Sequence, residues 1–207
     1  MPERYSGTKF KTIFKERREI TKTRDNELPG QIEDLIRWCE VFSKSGLAPR
    51  CEGGYAGNLS IRTSDGFIIT AAGSNLASIT KEQFTEVSGV DIFKKEVTAS
   101  GLKEPSSESF IHHEIYKIRD DVNAVFHGHD SLVLRHNDKL KIPITEKEKA
   151  YGTIELMSEV INVLNKNISV NYILIKNHGF ISIGKSMDEA GEVALKKHRE
   201  ALGFSGV

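Results

Sequence analysis

The sequence predicts a mixed α/β layer fold in which helices cover a largely antiparallel sheet. Three observations carry that prediction. Short strand-like runs alternate with segments of helical period, Gly-, Asp- and Asn-containing turns separate them, and no repeat or low-complexity tract interrupts the alternation. With 207 residues, 38% of them hydrophobic and 28% charged, the chain has enough apolar mass for one sizeable core and is not disorder-like.

The elements follow in order. Residues 1–30 stand apart, because eight Lys or Arg precede Asp25 against three glutamates and the segment closes on Pro29-Gly30. Phe10, Ile13 and Phe14 have helical spacing, so a basic amphipathic arm is expected, packed on its own subunit or a neighbouring one. Residues 31–207 form the domain proper. Ile32, Leu35, Ile36, Cys39 and Phe42 mark one face of a helix that stops at Gly46. The runs 58–62 and 67–70, joined through Ser64-Asp65-Gly66, read as a hairpin. Thr80 and Gln83 have capping-box spacing before a short helix, and a weakly patterned strand region covers 85–98. A helix over 107–118, a buried strand over 122–127 and an amphipathic helix over 154–164 come next. Strands at 171–176 and 180–183 then flank Asn177-His178-Gly179. Ser186 and Glu189 predict a second capping box, opening a helix through Ala190, Val193 and Ala194.

Charge excludes some functions. Lys+Arg and Asp+Glu both number 29, so net charge is zero, and neither a nucleic-acid partner nor an anionic membrane is expected. No apolar run approaches the ~20 residues of a membrane helix, and the N-terminus lacks a signal-peptide apolar region. Cys39 and Cys51 form no CxxC pair and are expected as reduced thiols in a cytoplasmic protein.

The chemistry gathers at "AVFHGHD", residues 124–130. On a strand alternate residues share a face, so His127 and His129 would project side by side. His178 ends a second apolar strand, before a glycine that permits a tight turn. Three imidazoles on two sheet ends would fill three positions around Zn²⁺ and leave one open; solvated or core histidines are the plainer alternative. Glu108 shares a helix face with His112 and Ile115, at i, i+4 and i+7. A carboxylate on such a face must be ion-paired, metal-bound or proton-shuttling. His112 is a fourth-ligand candidate but is expected rather as a hydrogen-bonded histidine of the core or one supporting a metal ligand, and His113 as solvated, with no role for His136 or His198. Gly53, Gly54, Gly57 and Asn58 approach one strand, Ala72-Gly73-Ser74 follows another, and Ser106-Ser107 stands at a helix start. Such backbone N–H groups and hydroxyls suit a phosphate, although glycines and serines also fill ordinary turns. No Walker or Rossmann glycine motif is present.

Taken together, "GNLSIR", "GFIITAAGS", "EPSSESFIHHEIYKIRDDVNAVFHGHD" and "ILIKNHGFISIG" resemble the class II aldolase/adducin family, closest to its fuculose-phosphate aldolases, over roughly residues 31–207. The resemblance implies a three-layer α/β/α sandwich around a nine-stranded antiparallel sheet, and a homotetramer with active sites at subunit interfaces. It implies one Zn²⁺ per subunit on His127, His129 and His178, with Glu108 as the acid/base that also visits the metal. It implies a substrate-phosphate pocket at Gly57, Asn58, Gly73, Ser106 and Ser107. The expected reaction is cleavage of a ketose 1-phosphate to dihydroxyacetone phosphate and an aldehyde through an enediolate.

The chain also departs from that pattern. Where the aldolases read T-P-T-G, it reads Thr70-Ala71-Ala72-Gly73, with Ser74 as the replacement hydroxyl. The segment after Ile142-Pro143 is short and charged, leaving Lys147 or Tyr151 to stand in for an interfacial tyrosine. The C-terminal ALGFSGV carries no tyrosine. The alternatives are a methylthioribulose-1-phosphate-type dehydratase, an epimerase (which carries Asp at the Glu108 position and an acidic loop absent here), a generic zinc hydrolase, and an adducin-like scaffold without metal chemistry.

Overall fold

The computed structural model describes residues 7–20, 28–51 and 54–204. The strands are β1 (Lys11–Glu16), β2 (Arg50–Cys51), β3 (Gly54–Tyr55), β4 (Asn58–Thr63), β5 (Gly66–Thr70), β6 (Phe84–Asp91), β7 (Glu96–Gly101), β8 (Ala124–Gly128), β9 (Tyr172–Ile175) and β10 (Gly179–Gly184). The helices are α1 (Leu28–Lys44), α2 (Ser109–Ile118), α3 (Ser131–Arg135), α4 (Asn137–Leu140), α5 (Ile154–Lys166) and α6 (Met187–Gly203). Eight strands form one sheet in the order β1-β7-β6-β5-β4-β8-β10-β9, while β2 and β3 make a separate ribbon. Every pairing in the large sheet is antiparallel except β1 with β7.

Side-chain alternation decides how this sheet is covered. On β8, Ala124 and Phe126 join one apolar cluster and Val125 the other. The first cluster takes Leu35, Trp38 and Phe42 from α1 and Ala190 and Ala194 from α6. The second takes Phe110, Ile111 and Ile115 from α2 and Leu156 and Val160 from α5. The molecule is therefore an α/β fold on a large, mostly antiparallel sheet.

Four expectations are corrected. The sheet has eight strands among the described residues rather than nine. Residues 11–16 are extended, not helical, because their backbone completes an edge ladder on β7, from Lys11 opposite Glu96 to Phe14 opposite Ala99. The helical spacing of Phe10, Ile13 and Phe14 is coincidental: Phe10 is buried, Phe14 half-buried and Ile13 exposed. The weak strand region at 85–98 is two strands, reversed through a turn at 92–95 with Lys95 at φ 53°. At α6 the Ser186 hydroxyl accepts from Glu189 N at 3.1 Å, but the Glu189 carboxylate takes Lys185 N rather than closing the box on Ser186. The Thr80–Gln83 capping box forms as expected, over a single 3-10 turn.

Candidate metal centre and active-site cleft

The site lies where β4, β8 and β10 run side by side. His127 on β8 faces Asn58 on β4 and Ile181 on β10. Its neighbour Gly128 opposes Phe180. A Cβ on Gly128 would stand 2.6 Å from the Leu47 carbonyl oxygen and 2.6 Å from the Phe180 ring. Only glycine lets the strand pass between them, which brings His129 round to the same side as His127. His178 arrives on the turn between β9 and β10, after Asn177 at φ 56°, a left-handed position that asparagine tolerates.

The three imidazoles converge. Their ring centroids lie 5.1 Å (His127–His129), 5.1 Å (His127–His178) and 4.7 Å (His129–His178) apart. One nitrogen from each falls within 4.8 Å of the others, a spacing that can hold a metal ion. The His127 tautomer is set from behind. Nδ1–H donates to the Phe180 carbonyl at 2.8 Å, which leaves the Nε2 lone pair pointing into the cluster. That is the donor set and orientation a divalent metal requires.

Glu108 closes the group. It caps α2 with non-helical dihedrals (φ −94°, ψ 14°), and its backbone N–H reaches Ser106 Oγ at 3.3 Å. The carboxylate is only 3% exposed, with Oε2 3.2 Å from His127 Nε2 and Oε1 3.4 Å from His178 Nε2. Asn58 Nδ2 donates to Oε2 at 3.2 Å. Burial pushes this carboxyl up, but His127, His178 and Asn58 more than offset it and hold it below the usual carboxylate range. Burial pushes the His127 and His129 rings down from their ordinary value, against the pull of Glu108. At neutral pH the Glu108 carboxylate thus lies beside neutral His127 and His129 rings, a combination of charge and lone pairs that suits a cation.

Behind Glu108 lies a polar network of a kind the sequence did not reveal. His112 is fully buried; its Nδ1 meets Ser60 Oγ at 2.6 Å, and Ser60 Oγ meets Tyr116 Oη at 2.8 Å. Burial pushes His112 down to about 3, so it is a neutral core histidine as expected. His113 is half-buried rather than solvated. His198 has a partner after all: its Nδ1 lies 2.7 Å from Asp130 Oδ2, while Asp130 Oδ1 accepts from Leu132 N and Val133 N to cap α3. Asp130 directly before Ser131-Leu132-Val133 is a legible N-cap signal; its partner on α6 is not local and left no trace.

The histidines and Glu108 line a cleft of about 560 Å³ whose wall includes Gly57, Asn58, Gly73, Ser74, Ser106, Ser107 and Tyr151. Eleven of the residues singled out from sequence therefore meet in one place. Gly57 is at φ +88°, where a side chain would be strained and its Cβ would press on the His127 carbonyl oxygen at 3.1 Å. Gly73 sits at φ 70°, and Ser74 Oγ, where the family hydroxyl is missing, accepts from Gln83 Nε2 at 3.4 Å. Tyr151 enters beside Ser107, because Gly152 packs on the Ser107 carbonyl, and its hydroxyl donates to Gly7 O at 3.3 Å. Gly54 is on β3, outside the wall, Lys147 is exposed and also outside it, and Gly53 lies outside the described residues, as do the last residues of ALGFSGV.

Comparison with known proteins gives the family. The family model for the class II aldolase and adducin N-terminal domain matches residues 33–199. The chain belongs to that family. Among curated relatives, the methylthioribulose-1-phosphate dehydratase of Pseudoalteromonas translucida is 27% identical over 172 residues, covering 72% of this chain and 77% of that protein. The L-fuculose phosphate aldolase of Methanococcus maripaludis is 32% identical over 152 residues, covering 66% of this chain and 77% of that protein. A solved L-fuculose 1-phosphate aldolase superposes with TM-score 0.67 at 20% identity, covering 88% of this chain and 85% of that one. The class II fold accounts for both the sheet and the helices on it. No described helix of this family member is long and apolar enough to cross a membrane.

Proposed function

We propose that this class II family member is a metal-dependent aldolase that cleaves a ketose 1-phosphate to dihydroxyacetone phosphate and an aldehyde. The observation that carries the reading is the buried Glu108 carboxylate, 3.2 Å and 3.4 Å from two imidazoles of a three-histidine cluster at one end of a glycine- and serine-lined cleft. His127, His129 and His178 would hold the cation, Zn²⁺ in this reading and one per subunit, with Glu108 as a fourth ligand when substrate is absent. When bound, the ion supplies Lewis acidity for negative charge on substrate oxygens. Glu108 moves the proton at C3 of the dihydroxyacetone phosphate portion, giving it in cleavage and taking it in condensation. Asn58 holds the carboxylate in place for that transfer through its 3.2 Å hydrogen bond. Gly57, Gly73, Ser74, Ser106 and Ser107 bind the phosphate through backbone N–H and hydroxyl donors. Tyr151 is the second proton-carrying candidate, and to act it has to turn its hydroxyl away from Gly7 O.

The assignment extends to the whole protein: a cytoplasmic homotetramer with interfacial sites, a three-layer α/β/α sandwich over residues 31–207, and an extension over 1–30. One reading competes, because the relatives include a dehydratase at 27% identity as well as an aldolase at 32%. Incubating zinc-loaded protein with ketose 1-phosphates and following both products separates them. Dihydroxyacetone phosphate plus an aldehyde supports the aldolase, loss of water with the carbon chain intact supports the dehydratase, and no turnover of either kind sinks both.

A further inference from the structure

The N-terminal arm lies outside the family-matched residues 33–199, yet it follows the rim of the cleft. Gly7 O accepts from the Tyr151 hydroxyl at 3.3 Å. Thr8 Oγ1 donates to Glu104 Oε2 at 3.3 Å, and the Glu104 carbonyl in turn receives Ala72 N at 2.9 Å, in the turn after β5 that carries Gly73 and Ser74. The Lys9 Nζ stands 4.9 Å from the centre of the Tyr151 ring. Its stem packs on Gly152, where an added Cβ would be 3.3 Å from Lys9 Cγ and 2.8 Å from the Ser107 carbonyl oxygen. Phe10 then anchors the arm, its ring tilted against that of Phe110 at 5.2 Å in the first turn of α2, the helix that begins just after Glu108.

A phosphate monoester is close to a dianion at neutral pH, and charge-assisted contacts hold such groups far better than neutral donors do. Among the described residues that line the cleft there is no lysine or arginine. The cradle is neutral, and the nearest catalytic charge, Glu108, has the wrong sign. Lys9 is an exposed cation one aromatic ring away from that cradle. Its four-carbon stem is flexible, and the contacts of an exposed ammonium, the cation–π contact among them, are each weak enough to be exchanged for a phosphate oxygen.

We propose that Lys9 is an anion-specificity residue of this site, a cation that the N-terminal arm carries to the phosphate end of the cleft. The inference rests on the reading of a phosphorylated substrate given above. The test is calorimetric titration of full-length, zinc-loaded protein with dihydroxyacetone phosphate and with inorganic phosphate, for wild type, Lys9→Met, Lys9→Arg and Lys103→Met. Lys103 is the control, an exposed lysine outside the cleft wall, next in sequence to the Glu104 that holds the arm. Expected is a dissociation constant for dihydroxyacetone phosphate raised on the order of tenfold or more in Lys9→Met, with a weaker salt dependence. Lys9→Arg restores most of the affinity, Lys103→Met leaves it unchanged, and all four proteins melt alike. Wild-type affinity in Lys9→Met overturns the role of Lys9 and leaves the phosphate reading standing. A wild-type protein that binds neither ligand overturns both.

Discussion

A buried carboxylate needs compensation, and at Glu108 the compensation comes from imidazoles that also face one another. A salt bridge alone would need one partner; a cluster of three histidines around a common space is what a cation requires. Glu108→Gln keeps the shape and the neutral donors around it while removing the group that moves the proton. The variant is expected to fold and to bind about one zinc per subunit, and to turn over ketose 1-phosphate roughly 10²- to 10⁴-fold more slowly. Metal content by plasma mass spectrometry and a dihydroxyacetone phosphate assay check the two halves, and undiminished turnover removes Glu108 from the mechanism. These residues were legible because histidines at the ends of apolar strands break the pattern that burial imposes. The Ser60–His112–Tyr116 network and the Asp130–His198 pair were not legible, because each joins residues at least 50 positions apart in part.

At the scale of elements, the site depends on strands that approach more closely than side chains allow. A Cβ on Gly179 would come 2.2 Å from the Gly128 carbonyl oxygen, and one on Gly128 would meet Leu47 and Phe180. Gly128→Ala must move either the strand or the Phe180 ring. Phe180 also carries the carbonyl that orients His127, so the damage reaches the donor set. A loss of about 1–3 kcal/mol in denaturant unfolding, together with a lower zinc content, is expected. An unchanged midpoint and full zinc occupancy would show that the strands have slack. The hairpin, the helices α1, α2, α5 and α6 and the strands β8 to β10 were readable because their signals are local, a period or a turn; the short α3 and α4 carry too few residues to show a period. The β1 strand was not, since what makes residues 11–16 extended is a parallel partner more than 80 positions away. Its Lys11, Lys15 and Glu16 are exposed, and charges of that kind also protect an open sheet edge from pairing with another chain.

For the molecule as a whole, the buried ionisable groups set a pH dependence with a definite sign. In the folded state His112 is pushed from 6.5 down to about 3, His127 and His129 are also lowered, and the Glu108 carboxyl lies below its usual range. For each of these groups the unfolded chain takes up a proton at a higher pH than the folded one. The stability they contribute is therefore complete above the unfolded values and is lost as pH falls toward the folded ones. The histidine share starts to go below 6.5, where unfolded histidines become charged and the buried ones do not; the Glu108 share follows below 4.5. Because one pKa unit is about 1.4 kcal/mol, His112 alone contributes roughly 3–5 kcal/mol to the difference between pH 7.5 and pH 3. A divalent cation acts on the same balance from the other side, since it binds the neutral imidazoles of the folded state and adds stability in proportion to the logarithm of its concentration. Urea unfolding of chelator-treated protein between pH 7.5 and pH 4.5 should give a midpoint that falls steadily below pH 6.5, with zinc raising it at pH 7.5. A midpoint flat across that range would mean that the histidines are hydrated and chargeable in the folded protein, and the buried, cation-ready centre would then be wrong.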